Sequence, residues 1–305
     1  MEKENFIISE NIEKTFHASD KTFYFAKINI HGNIFKPDLE ELIETEIPRV
    51  IENAKEIKLK SSTISFTDIN RININKKTFI IGHVTISKKE RLRYKKGQTT
   101  FFANTEHEVA NSAMFIYDLK SEILAFTTTT KLSVNSFIDY FTRLLSNDEI
   151  VGKVVINLIP DHYDIIKELQ MFDKITYVKF SLIHPNPGNR FYNLYSQLVK
   201  EVSAKEMDVV YKDEVDGLKV EIENETIKTA AINQGVELVN AGYGEVELKG
   251  ENYTYVESGK KRKTKKKITK KKSFSSKKST KKLPLKGSTT SEAIKKVATF
   301  IDKLL

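Results

Sequence analysis

Apolar positions recur along this chain with two spacings, about two and about 3.6 residues, and the switches between them mark the elements. Residues 22–30 (TFYFAKINI) mix aromatic and β-branched side chains and predict a strand. Pro37-Asp38 opens a helix with Leu39, Leu42 and Ile43 on one face, and Pro48 is expected to end or kink it. Residues 62–69 and 78–86 predict strands, and 112–119 with 122–128 a hairpin around Lys120-Ser121. The polar stretch 88–105 between them predicts a long exposed loop. Ser133 is placed to cap a helix whose stripe is Phe137, Ile138, Phe141, Leu144 and Leu145. The apolar run 151–159 predicts a buried strand, and Asp161 the cap of a helix carrying Ile165, Ile166, Leu169 and Phe172. A strand at 175–183 runs into His184-Pro185-Asn186-Pro187-Gly188, a rigid turn that could leave Asn186, Asn189 and Arg190 at a helix start. Phe191, Leu194, Tyr195, Leu198, Val199 and Val202 form the clearest helical stripe. Strands at 208–211, 218–222, 243–248 and 253–256, and a helix at 226–239 weakened by Gly235, complete the body.

Strands and helices are mixed without regular alternation, so the fold class is α+β: mixed or antiparallel sheets with packed helices. The expected organisation is an N-terminal α+β domain (1–150), a second α+β domain (151–257), a disordered polybasic linker (258–290) and a C-terminal amphipathic helix (291–305). Thr289 and Glu292 have capping-box spacing, and Ile294, Val297, Ala298, Ile301, Leu304 and Leu305 share one face. On a tether of up to ~110 Å, such a helix can fold onto its own core, swap onto a second subunit, or bind a partner groove.

Charge changes the picture most. The 305 residues carry a net charge of +9, yet fifteen Lys or Arg and no Asp or Glu lie between Lys260 and Lys286, leaving about −6 on everything else. Such a segment binds polyanions, with nucleic acid first and anionic lipid as the rival. The bland alternative is a solvated linker. The candidate nucleic-acid-binding residues are Lys260, Lys261, Arg262, Lys263, Lys265, Lys266, Lys267, Lys270, Lys271, Lys272, Lys277, Lys278, Lys281 and Lys282. A second cluster is Lys88, Lys89, Arg91, Arg93, Lys95 and Lys96, with Tyr94 interleaved; at a hairpin tip it would reach into a groove, and otherwise it is a charged loop.

Cysteine is absent, which excludes disulfides, thiolate metal sites and cysteine nucleophiles. No apolar run approaches the ~18 residues of a membrane span, and the start lacks a secretory h-region, so the expected location is the cytoplasm. Neither a Gly-rich phosphate loop nor a metalloprotease or hydrolase motif occurs, and no catalytic residue, metal or cofactor is expected. Two weak metal signals remain. Glu106-His107-Glu108 is one, and Glu247-x-Lys249, with Asp216 or Asp161, is the Glu-x-Lys pattern of restriction-type nucleases.

Ile123, Leu124, Ala125 and Phe126, a short Thr/Ser-rich connection, and the 137–145 helix resemble RexA, the phage-exclusion and abortive-infection family. The strand and turn at 177–187 resemble a related group of uncharacterised bacterial proteins with a Pro-Asn-Pro turn. The resemblance implies a dimeric, two-domain protein that binds DNA without strong sequence preference in antiphage defence. The DNA-encircling dimer RdgC is the nearest architectural analogy. The basic tail and terminal helix depart from that pattern. The expected function is a sequence-nonspecific DNA-binding homodimer. The alternatives are a metal-dependent effector nuclease, or an adaptor whose 291–305 helix holds a protein partner near nucleic acid or an anionic membrane.

Overall fold

The computed structural model describes residues 21–30, 39–186, 204–258 and 264–304. The class is α+β, as the mixed pattern predicts. The chain divides into two compact units, 1–156 with 282–305, and 157–281. The division thus falls at 156/157 rather than near 150, and the second unit runs on to 281 rather than stopping at 257.

The first unit contains β1 (Lys21–Ile30), β2 (Ile57–Lys58), β3 (Thr63–Ile74), β4 (Lys77–Lys88), β5 (Arg91–Lys96), β6 (Thr99–Asn104), β7 (Val109–Asp118), β8 (Ile123–Phe126), β9 (Val154–Leu158) and β16 (Lys282–Leu285). One sheet runs in the order β16-β1-β8-β7-β4-β3-β2, with β9 also paired to β1. Helices α1 (Leu39–Glu41) and α2 (Ile47–Asn53) flank a π turn, Leu42–Glu46. The chain therefore stays helical through Pro48, which sits in the first turn of α2 directly after the π turn. Just before it, the Ile47 N–H donates to the Leu42 carbonyl, five residues back.

Helix α3 (Val134–Ser146) starts where Ser133 accepts from the Ser136 N–H. Its stripe meets one face of the sheet. Phe137 stacks on Phe126 at 4.1 Å, and Phe141 meets Phe115 edge-on at 5.2 Å. Helix α6 (Thr290–Asp302) begins with the capping box of Thr289 and Glu292 and buries Ala293, Ile294, Val297, Ala298 and Ile301. Its Phe300 ring lies 4.8 Å from Phe25. Of the three fates open to the terminal helix, folding onto its own core is the one taken, because that face carries the area a helix must bury. The expected partner-docking face is thereby occupied.

The second unit contains β10 (Lys174–Ile183), β11 (Glu206–Lys212), β14 (Gly244–Ser258) and β15 (Thr264–Ser275), an antiparallel sheet in the order β11-β10-β14-β15. The two strands expected at 243–248 and 253–256 are one continuous β14. Of the strand expected at 218–222, only β12 (Ile222–Glu223) forms, pairing with β13 (Thr226–Ile227). Helix α4 (His162–Met171) is capped by Asp161, which accepts from the Tyr163 N–H. Helix α5 (Ala230–Asn240) contains Gly235, where a Cβ would lie 2.6 Å from the Phe180 ring. The glycine that weakens the helix locally leaves room there for the Phe180 ring of β10.

The basic segment requires the main correction. Residues 258–290 are expected to be disordered, yet Thr264–Ser275 is β15, in register with β14 from Ser258↔Thr264 to Glu247↔Ser275. Judged alone, a run of lysines has too little apolar surface to fold. Laid against a strand presenting Leu248, Glu251 and Tyr253, it gains a ladder of backbone hydrogen bonds and contributes Ile268 and Phe274. Lysine also suits an edge strand, because its charge discourages pairing with further chains. A 3-10 turn (Ser276–Lys278) and β16 follow. Lys260, Lys261, Arg262 and Lys263 lie outside the described residues, as do Asn189, Arg190 and the helix expected at 191–202.

Candidate nucleic-acid interface

Residues 88–105, expected to be a loop, form a β-ribbon arm instead. Strands β5 and β6 pair from Arg91↔Asn104 to Lys96↔Thr99, closed at Gly97, whose φ of 60 suits a tight turn. The signal was present in the sequence: two six-residue runs around a Lys-Gly-Gln turn, the first alternating basic and apolar as Arg-Leu-Arg-Tyr. The high polarity of the stretch hid it.

Strand alternation sorts the arm into two faces. Arg91, Arg93 and Lys95 share one with Phe102, and their guanidinium carbons lie 5.5 Å (Arg91) and 4.7 Å (Arg93) from the Phe102 ring centroid. Leu92, Tyr94 and Phe101 share the other, where Tyr94 and Phe101 stack at 5.9 Å. Leu92, Tyr94, Phe101 and Phe102 are 37–52% exposed, unusual for four large apolar side chains so close together. Residues 91–104 include four Lys or Arg and no Asp or Glu. At the base of the arm, Lys88 pairs with Glu90 at 3.7 Å, and Lys131 joins the same carboxylate at 3.3 Å. Lys89 is exposed.

The tail lysines are placed differently. Lys265, Lys266, Lys267, Lys270, Lys271 and Lys272 all lie on β15. Lys272 pairs with Glu168 of α4 at 2.8 Å, and Lys277 with Glu245 at 2.8 Å. Lys281 reaches Asp161 at 3.3 Å. Lys282 lies 5.4 Å from the Tyr24 ring centroid, and Lys278 is exposed. The expected disordered polycation is thus six lysines on one strand and four beyond it, with Lys272, Lys277 and Lys281 paired to carboxylates.

Of the metal signals, Glu108 accepts a hydrogen bond from Ser87, and Glu106 and His107 are exposed on the turn before β7. Glu247 and Lys249 lie on the exposed face of the second unit's sheet, across from Lys179 and Tyr177 of β10. Asp161, one of the carboxylates suggested to join them, is committed to the α4 cap and Lys281. Among the described residues, no three His, Asp or Glu side chains are grouped to hold a metal ion. No described helix is long and apolar enough to cross a membrane.

Over residues 21–297 the chain matches the family described as a domain of unknown function, DUF4747. The protein is a member of that family. Curated proteins yield no match. The DUF4747 match spans both units and includes β15, β16 and the first two turns of α6, so the basic strand and the helix after it belong to the family's domain.

Proposed function

We propose that this DUF4747 protein binds nucleic acid without sequence preference, with the β5–β6 arm as its contact surface. The observation that carries this is the conjunction on the arm of four cations, no carboxylate and four exposed apolar side chains. Arginine and lysine displace counterions from phosphates. A two-stranded ribbon has the width to enter a groove, and exposed aromatics supply stacking surface for unpaired bases. A purely solubilising loop would have no use for Phe101 and Phe102 in water. The homodimer and the antiphage role implied by the resemblance to RexA belong to the same proposal.

The test is binding of a labelled duplex by the full-length protein across 50–200 mM salt, compared with Arg91→Ala/Arg93→Ala/Lys95→Ala/Lys96→Ala. The log–log salt slope should flatten by about 3 to 4, since each lost phosphate contact removes roughly 0.9. An unchanged slope would overturn the reading. Light scattering of the purified chain reports the dimer, and a phage challenge of cells expressing the wild type and the arm variant reports the defence role.

A further inference from the structure

The exposed face of the second unit's sheet carries clusters of charge. At one end Glu206, Asp208 and Glu245 gather; hydrogen bonds from Lys179 and Ser181 hold the Asp208 carboxyl below the usual carboxylate range. Two residues further along β10, the register brings Lys212, Tyr177, Lys249 and Ser273 into one row across all four strands, with Lys271 beside it. A concavity of about 480 Å3 opens over this row. That is the size of a small-molecule pocket.

The carboxylates that line it are already engaged. Glu214 pairs with Lys212 at 2.9 Å, and Glu251 with Lys174 at 3.4 Å. Lys272 is taken by Glu168. Lys249 and Lys271 make no ion pair among the described residues. The Lys249 ammonium lies 4.6 Å from the centroid of the Tyr177 ring. Two cations without ion pairs, a serine hydroxyl and an aromatic ring in one concavity match a ligand that combines an anion with a flat ring: as the Lys249 ammonium turns to the anion, the ring takes the Tyr177 face that it leaves.

We propose that this concavity binds the phosphate of a nucleotide between Lys249 and Lys271, with its base against Tyr177. The site lies in the other unit from the arm and does not depend on the arm's role. It also gives the Glu-x-Lys spacing a different meaning: Lys249 acts as an anion ligand rather than as part of a metal-dependent nuclease. The phosphate can come from a free mononucleotide or from an unpaired strand of nucleic acid, and the two sources are separable.

Calorimetric titration of the full-length protein in the arm-variant background with AMP, inorganic phosphate and a twelve-residue oligo-dT distinguishes them. If free nucleotide is the ligand, AMP binds, Lys249→Ala/Lys271→Ala weakens it by roughly tenfold or more per lysine, and Tyr177→Leu weakens AMP but not inorganic phosphate. If strand phosphate is the ligand, only the oligonucleotide binds, and the same lysine pair abolishes it. Lys167→Ala, on the same unit but outside the concavity, leaves both unchanged. Should the double alanine variant fail to fold, Lys249→Gln/Lys271→Gln keeps the side-chain length and removes the charge. The proposal is overturned if no ligand binds at millimolar concentration, or if binding is indifferent to both double variants of the Lys249–Lys271 pair.

Discussion

The β5–β6 arm and the β14–β15 hairpin are both cation-bearing antiparallel ribbons, yet they are stabilised by opposite means. The arm is a two-stranded ribbon on its own, a form that is marginal in water, and it exposes its aromatics and all four cations. The hairpin is the edge of a four-stranded sheet, with Leu248 and Val246 buried beneath it and Lys272 paired to the helix behind. Positive charge therefore means different things in the two ribbons. In the hairpin it lies along the edge of a larger sheet, where Lys272 is paired to Glu168 and lysines guard the open edge. In the arm nothing within the ribbon balances it, so a polyanion gains the full electrostatic term.

The largest expected effect separates an ordered tail from a tether. Truncation at 257, which would remove a disordered tail cleanly, here deletes β15, β16 and α6. Five buried apolar residues of α6 go with it, and each large one is worth ~1.5–3 kcal/mol, a sum comparable to the whole stability of an ordinary domain. The 1–257 fragment should lose cooperative thermal unfolding. A sharp melt near that of the full chain would restore the tether.

Next in size is the difference in local opening. Trypsin should cut at Arg91–Lys96 before it cuts at Lys270–Lys272, by roughly tenfold or more in rate, because cleavage follows the ease of local unfolding. Mass spectrometry of early fragments decides it. First cuts within β15 would reverse the comparison and move the flexible polycation back to the tail.

Substitution then sharpens it. Phe101→Ala should leave stability within about 0.5 kcal/mol, as for other exposed positions, while weakening single-stranded nucleic acid. Gly250→Ala, in β14, should cost ~1–3 kcal/mol as an overpacking change. Its Cβ would lie 2.4 Å from Phe172 and 2.6 Å from the Lys174 carbonyl. Urea denaturation of both variants reads this, and equal stability losses would mean that the arm is packed against something.

The elements that could be read directly from the sequence were those whose stabilising partners are local. The Ser133 and Asp161 caps, the Thr289–Glu292 box, the 137–145 stripe and the β7–β8 hairpin all follow from neighbours within a few residues. What failed depended on distant partners. β15 is a strand only because β14 lies beside it, and Gly235 is required only because Phe180 approaches from β10. The arm failed for another reason: its alternation was visible at Arg91–Tyr94, but exposed apolar residues are not what a buried-face pattern looks for. The Lys249–Lys271 pair has no linear signal, since only sheet register brings it together.

The smallest effect expected is pH-dependent and concerns how the tail is anchored. His162, first residue of α4, is half-buried, and burial is the main cause that lowers its pKa, with Lys281 adding to it; Asp161, the Asn240 hydrogen bond and Glu225 oppose. A histidine depressed in the folded state binds its proton more readily when unfolded. Its contribution is therefore fully present above the unfolded value of about 6.5, and it is lost as pH falls through the folded value. On acidification the imidazolium would arise beside Lys281, which holds Asp161 at 3.3 Å just before the chain enters β16. The second unit should therefore become less stable below about pH 6.5, and His162→Gln should flatten that dependence. Thermal melts of wild type and variant between pH 5 and 8 give the comparison. Parallel curves would show that His162 titrates alike in both states and that the Lys281 anchor is indifferent to it.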